Sequence, residues 1–440
     1  MEAMSSEPVQ PLVLPFVAAQ QLVDHHCHGI LRAGGELPGL LNEADGDAAA
    51  DWLPFDSLAG LAFRRWCPPL LGLPAHASAQ SYAERRAALG ADEVSRRFLG
   101  ACGLDALCVD TGYAPAGLTS PAETAALAGA TAYEIVRLEQ VAESLARDGT
   151  GAAEFPDAYR RALSERAATP GTTVAGVKSI AAYRVGLELD WRRPTDGEVV
   201  AAVSRWLGGA GGAAGAAGAG AAGAGAARAD ANGAGANEAG GTRAGGPEAG
   251  AGGPETGAGG ARGGEALPRL ADEVLHRFFI WCGADLGLPI QFHVGYGDRD
   301  IDLHRCNPLL LTGLLRALEP TGVPVMLLHN YPYHREAGYL AQVFPLVYAD
   351  LGLATHNVGA RATALLGEAL ELVPLRKFLF SSDAFGLPEL YYLGTLLFRR
   401  ALSEFLSTRL SADDMSYPDA ERVTRLIGAE NARRAYRLDR

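Results

Sequence analysis

Short apolar runs alternate along the chain with longer amphipathic stretches. The runs Leu22–His26, Ala106–Asp110, Ala132–Leu138, Val174–Ala181, Pro289–Val294, Val323–His329, Leu346–Asp350 and Phe378–Ser382 are mostly rich in Val, Ile, Leu or Phe. Runs of that length suit strands covered on both faces. Asp196–Leu207, Leu267–Leu286, Pro308–Leu318 and Glu336–Phe344 carry helical spacing, and Leu387–Leu406 and Tyr417–Leu438 read as terminal helices. Strands alternating with helices predict a parallel sheet. Eight candidate strands predict an α/β fold, a (β/α)8 TIM barrel occupying the chain as one unit. Residues 51–97, with their tryptophans, prolines and basic helical turns, predict an irregular, cap-like insertion over the barrel mouth.

Residues 208–264 break this pattern. They are almost wholly Gly and Ala, with scattered Glu, Arg, Pro, Asn and Thr. Ordering glycine is entropically costly, and few large apolar side chains are present to offset the cost. The expectation is a flexible, disordered insertion in a surface loop, tolerated because closure entropy grows slowly with length. Gly218, Gly220 and Gly223 fall in GxGxxG register, but no strand precedes them and no helix follows, so no nucleotide loop is expected.

Composition narrows the function. The net charge of −13 argues against a nucleic-acid surface or an anionic membrane as partner and leaves a small-molecule substrate, with homo-oligomerisation open. No apolar stretch approaches the roughly 20 residues of a membrane helix. The N-terminus lacks a basic segment leading into a long apolar run, so a signal peptide is not expected and the cytoplasm is the default location. The six cysteines show no CxxC spacing, which removes zinc knuckles and thioredoxin-type motifs.

The chemistry begins at Asp24-His25-His26-Cys27-His28, at the end of the first strand. Strand alternation predicts Asp24, His26 and His28 on one face and His25 and Cys27 on the other. Two imidazoles so spaced can approach one divalent cation. Further ionisable residues close later apolar runs: His293, His329 and Asp383. Barrel enzymes place their working groups at the same strand ends.

The order HxH, Lys, His, His, Asp resembles the amidohydrolase superfamily. The segments 293–301 (HVGYGDRDI) and 381–386 (SSDAFG) resemble, more narrowly, the amidohydrolase domain of FluG-like proteins within the amidohydrolase-2 family. Two features depart from those relatives: the sequence stops too soon to carry their glutamine synthetase-like domain, and the Gly/Ala insertion separates the fourth and fifth strands. The resemblance implies His26, His28, His293 and Asp383 as metal ligands and His329 as a second-metal or substrate contact. It also implies Lys178 as the strand-four lysine, carboxylated in some relatives and a plain amine in others. The implied cofactor is a divalent ion, zinc first, with manganese or iron(II) as alternatives. A functional link to a glutamine synthetase-like enzyme is implied as well.

Such a set supports hydrolysis of a C–N bond in a small polar substrate, for which the resemblance suggests a γ-glutamyl amide. Asp383 would serve as general base and His329 would polarise the carbonyl. Arg184 could hold a substrate carboxylate, and Asp298 an amine. His356 is a weaker candidate, and His76, His276, His304 and His334 read as structural or surface residues. Glu134 and Arg137 are expected to pair with each other. Two alternatives stand beside hydrolysis: a metal-dependent decarboxylase or related lyase, and an inactive barrel serving assembly or regulation. Neither a GxSxG nor a P-loop motif is present.

Replacing residues 209–263 with a short Gly/Ser linker is expected to leave the thermal midpoint and any activity unchanged. A large loss of either would show that the segment folds against the barrel.

Overall fold

The computed structural model describes residues 13–33, 37, 41, 43, 54–113, 115, 117–169, 171–208 and 267–438. Seven strands form one parallel sheet in chain order: β1 (Leu22–Cys27), β2 (Leu104–Asp110), β3 (Thr131–Arg137), β4 (Val174–Ser179), β5 (Ile290–Val294), β6 (Val325–His329) and β7 (Val347–Ala349). All but the eighth expected strand are found, within a few residues of their expected ends. Phe378–Ser382 is not a regular strand. Its backbone nevertheless bonds on both sides: Leu379 N donates to Ala349 O of β7 at 3.0 Å, and His25 N of β1 donates to Phe380 O at 3.1 Å. Farther along, Asp383 N donates to His26 O at 3.0 Å and His28 N to Ala384 O at 2.9 Å.

The sheet curls around its own apolar core. Val23, Ala106, Cys108, Ile135, Met326, Leu328, Tyr348 and Leu379 pack together on the concave side with Ala432, Ala435 and Tyr436 from the C-terminal helix Asn431–Tyr436. The convex side packs against the surrounding helices, with Leu22, Cys27, Leu107, Val109 and Val177 in that larger core. All six cysteines are free and buried. Among the described residues no helix is long and apolar enough to cross a membrane.

Three sequence expectations need correcting. The stretch expected to be irregular carries three helices, Leu58–Leu70, Ala79–Leu89 and Ala91–Gly100. Ser57 and Ser78 cap the first two, and Pro68 and Pro69 fall in the last turn of the first. Glu134 and Arg137 do not pair, because residues three apart on a strand face opposite ways. Arg137 turns inward to Asp110 at 2.8 Å, and Glu134 turns outward to Arg166 and Thr111. The third correction, the order of faces at β1, belongs to the site below. The Gly/Ala insertion lies, except for Gly208, outside the described residues.

The second of the three helices is fixed to the long helix Pro388–Ser411 by a buried carboxylate. Glu389 accepts from Tyr82 Oη at 2.9 Å and from Arg86 Nε at 2.7 Å. Removing one partner of a buried pair strands the other's charge. Glu389→Ala is therefore expected to cost about 3 kcal/mol in denaturant unfolding. A midpoint equal to wild type would show that the contact holds nothing in place.

Candidate metal centre

Side chains converge at the C-terminal ends of the strands by two breaks in regular alternation. The first is a β-bulge in β1, where Asp24 pairs with Leu107 but Cys27 with Val109, three residues against two. Val23 and His25 face the concave side, His25 meeting Tyr436 Oη at 3.0 Å. The extra residue lets His26 face inward as well, while Cys27 returns to the convex core. Asp24 therefore does not share a face with His26 as simple alternation predicts. It points outward and accepts from Ser382 N at 3.0 Å and Ser382 Oγ at 2.5 Å.

The second break is at the end of β6. Met326 and Leu328 already face inward, in register with Gln291 and His293 of β5. Alternation would send His329 outward. Its backbone is left-handed instead, with φ 69°, and so is that of Asn330 at 61°. This conformation is costly for residues with a Cβ. It swings the His329 ring back into the mouth, where Nδ1 lies 3.2 Å from Asp383 Oδ2. Asp383 is itself left-handed, with φ 51°.

Asp383 is the focus. Its Oδ1 lies 3.1 Å from His26 Nε2 and 3.5 Å from His28 Nε2. His26 Nε2 also faces Lys178 Nζ at 2.8 Å. An ammonium can only donate, so that contact uses the nitrogen's lone pair and leaves no proton for the carboxylate. A cation held between nitrogen and carboxylate would take that lone pair in place of the ammonium and bind the carboxylate as well. One buried ring nitrogen without a hydrogen-bond partner, His329 Nδ1, faces the same carboxylate. Unsatisfied buried groups are rare in folded proteins. A donor set of imidazoles and a carboxylate fits zinc, manganese or iron(II).

Two triads have ligand atoms within 4.8 Å of one another: His26, His329 and Asp383, and His26, His28 and Asp110. His293 lies in neither. It packs at a tilt against His329, with ring centroids 4.5 Å apart, and against Tyr183 at 4.6 Å. Asp110, at the end of β2, is the site residue that sequence reading missed. It lies 3.4 Å from Lys178 Nζ and 2.8 Å from Arg137. Its only sequence signal is the one used for Asp383, an ionisable residue closing an apolar run.

Arg184 stands 3.8 Å from Glu143, and Asp298 Oδ1 accepts from Asp300 N at 2.9 Å within its own turn. His356 is buried beside the 382–383 backbone. His276 and His334 pair with Glu139 and Glu368, as structural histidines would.

Desolvation sets the charge states. Burial, seconded by the Lys178 charge, pulls His26 down to about 4 and His293 down to about 3. Burial alone would raise the Asp383 carboxyl, but the imidazoles of His329, His26 and His28 outweigh it and hold the group well below the usual carboxylate range. Burial likewise opposes ionisation of Asp110, and Arg137 and Lys178 overcome it. Lys178 is lowered by burial, with Asp110 pulling the other way. Asp24, by contrast, is raised to about 7 by burial against the bonds from Ser382.

The family model for amidohydrolases matches residues 145–438. Protein fluG of Emericella nidulans is 39% identical over 152 residues, which cover 34% of this chain and only 18% of that relative's length. The structure of a candidate metal-dependent hydrolase from Lactobacillus casei aligns with TM-score 0.72 and 26% identity, over 96% of this chain and 97% of that one. A uronate isomerase from Bacillus halodurans aligns with TM-score 0.55 and 12% identity, over 96% and 94%. A glucuronate isomerase from Caulobacter crescentus does so with TM-score 0.55 and 14% identity, over 98% and 96%. These two likenesses are of fold alone.

A histidine with a depressed folded pKa contributes stability that is present above its unfolded value and lost as pH falls. In chelated protein, His293→Gln should gain on wild type as pH drops from about 6.5 towards about 3, the value to which burial pulls His293. Denaturation midpoints measured across that range check this, and a gap independent of pH would contradict it. Ligand geometry, strand-end placement and the family match together lead to one statement: the chain belongs to the amidohydrolase family.

Proposed function

We propose that this chain is a metal-dependent hydrolase that cleaves a C–N bond in a small polar substrate, with γ-glutamyl amides the first class to test. The observation that carries this reading is the convergence of three imidazole nitrogens, His26 Nε2, His28 Nε2 and His329 Nδ1, on the Asp383 carboxylate. His26, His28 and Asp383 would hold the ion, zinc before manganese or iron(II). His329 is close enough to join them, and His293 stands behind it. The segment bonded to both β7 and β1 would act as the eighth strand and close the barrel.

A bound divalent ion supplies Lewis acidity and lowers the pKa of a coordinated water from about 15.7 towards about 7. Asp383, held ionised, accepts the proton of the attacking water and passes it to the leaving nitrogen. His329 faces the same space and contacts the substrate carbonyl oxygen. Lys178, beside His26, stabilises negative charge as it develops there. Arg184 and Asp298 remain candidates for holding the substrate's charged ends. Decarboxylation of a carboxylic acid is the second reading, favoured by the two cations Lys178 and Arg137 at the mouth.

Protein purified without chelator should carry about one tightly bound divalent ion per chain, as a single three- or four-ligand site implies. His26→Ala should lose most of it while remaining folded. Asp383→Asn keeps a neutral oxygen for the ion but no base, so it should retain some metal and lose turnover by about 10²–10⁴-fold. The assays are metal analysis and release of amine or carbon dioxide from γ-glutamyl amides and carboxylic acids. Wild-type turnover in Asp383→Asn at saturating metal would overturn the mechanism.

A further inference from the structure

Beneath the metal centre lies a second polar layer that the chemistry above does not use. Its hub is Asp350, buried just beyond β7. Oδ1 accepts from His329 N at 2.6 Å and from Gly352 N at 3.3 Å. Oδ2 meets His25 Nε2 at 2.8 Å and accepts from Ser381 Oγ at 2.7 Å. A carboxylate offers about four acceptor positions, and all four are used here.

The direction of each bond in this layer follows from one fixed point. The His25 carbonyl can only accept, so the Gln291 atom 2.9 Å from it is the amide nitrogen. That nitrogen's other hydrogen goes to Tyr436 Oη at 2.8 Å. The Tyr436 hydroxyl, already accepting from Gln291, donates its own proton to His25 Nδ1 at 3.0 Å. His25 therefore carries its hydrogen on Nε2 and donates it to Asp350. The chain of donors runs from the C-terminal helix through β1 to the carboxylate, and every member has a defined polarity.

Asp350 sits where the costly geometry is. Its Oδ1 holds the amide of left-handed His329, and its carbonyl accepts from Asn330 Nδ2 at 3.1 Å in the next left-handed residue. Ser381, on Oδ2, lies two residues before Asp383. Gly352 leaves room for both ligands: a Cβ there would run into Ser381 Oγ and come within 3.2 Å of Asp383 Cβ and 3.3 Å of His329 Nδ1. The carboxylate thus touches the backbone turn that aims one candidate ligand and the segment that carries another, without facing the ion.

We propose that Asp350 is a positioning residue that sets the His329 and Asp383 geometry of the metal centre, and that Tyr436 acts on the same geometry through His25. This rests on the metal reading above. In proteins generally, changing partners behind metal ligands costs about 10–100-fold in affinity.

The test is titration of chelated full-length protein with Co(II), read by the visible ligand-field spectrum and by the dissociation constant. Asp350→Asn should stay folded, bind Co(II) about 10–100-fold more weakly, and show a changed spectrum because the ligands are re-aimed. Tyr436→Phe, remote from the ion, should also weaken binding, by a smaller factor, with a spectral change in the same direction. In the double variant Tyr436→Phe should add nothing, since the link it acts through is already cut. Wild-type affinity and spectrum in Asp350→Asn would overturn the proposal, and additive effects in the double variant would overturn the relay from Tyr436. If Asp350→Asn fails to fold, Tyr436→Phe alone decides: an unchanged Co(II) constant and spectrum would sink the idea. Failure of the wild-type chain to bind Co(II) would instead refute the metal reading, so the two failures are distinguishable.

Discussion

Burying Asp383, Asp110, Lys178 and Arg137 at one end of the curled sheet costs several kcal/mol per ion unless each finds an opposite charge. Asp110 meets that cost by lying between two cations, and Lys178 by lying between Asp110 and His26, whereas Asp383 is encircled by imidazoles and would gain its opposite charge from a bound cation. His26, His293 and His329 answer the same constraint by staying neutral, the form in which imidazole binds metals. Desolvation therefore does two jobs at once. It keeps ring nitrogens unprotonated, and it makes a shared cation the favourable way to reconcile His26 with the carboxylate beside it.

Much of this was legible in the sequence, because the strands of the sheet are continuous apolar runs ending in ionisable residues. His26, His28, Lys178, His329 and Asp383 do come together, and His293 stands one ring behind. Three parts were not legible, for identifiable reasons. The side-chain period of two fails at the β1 bulge and at left-handed His329, and nothing local in DHHCH or LLH marks either break. Acidic residues at strand ends are common, so Asp110 and Asp350 did not stand out before their partners from distant strands were known. Glu134 and Arg137 looked like a pair by charge, yet strand geometry separates them. The helices of residues 58–100 were obscured by prolines and a tryptophan, of which Pro68 and Pro69 sit in a last turn and Trp66 packs against the core.

The family relation and the site describe different scales. The match over residues 145–438 covers the later strands, but β1, which carries two of the candidate ligands, and β2, which carries Asp110, lie before it. The likeness to the Lactobacillus casei structure, by contrast, spans nearly the whole chain. The isomerases show that the same backbone hosts other chemistry, so the side chains at the mouth must carry the functional argument.

The bulge in β1 also constrains how this strand can change over evolutionary time. An ordinary strand can lose a residue near its end and be re-spliced by a slip of its neighbour loop. Here a one-residue deletion between Asp24 and Cys27 would restore strict alternation. His25 and His26 could no longer both point inward, so one of two buried layers would lose its histidine. A substitution at His26 removes a candidate ligand and leaves the His25 layer in place, whereas a length variant disturbs both layers at once. The tripeptide His25-His26-Cys27 is therefore constrained in length as well as in identity.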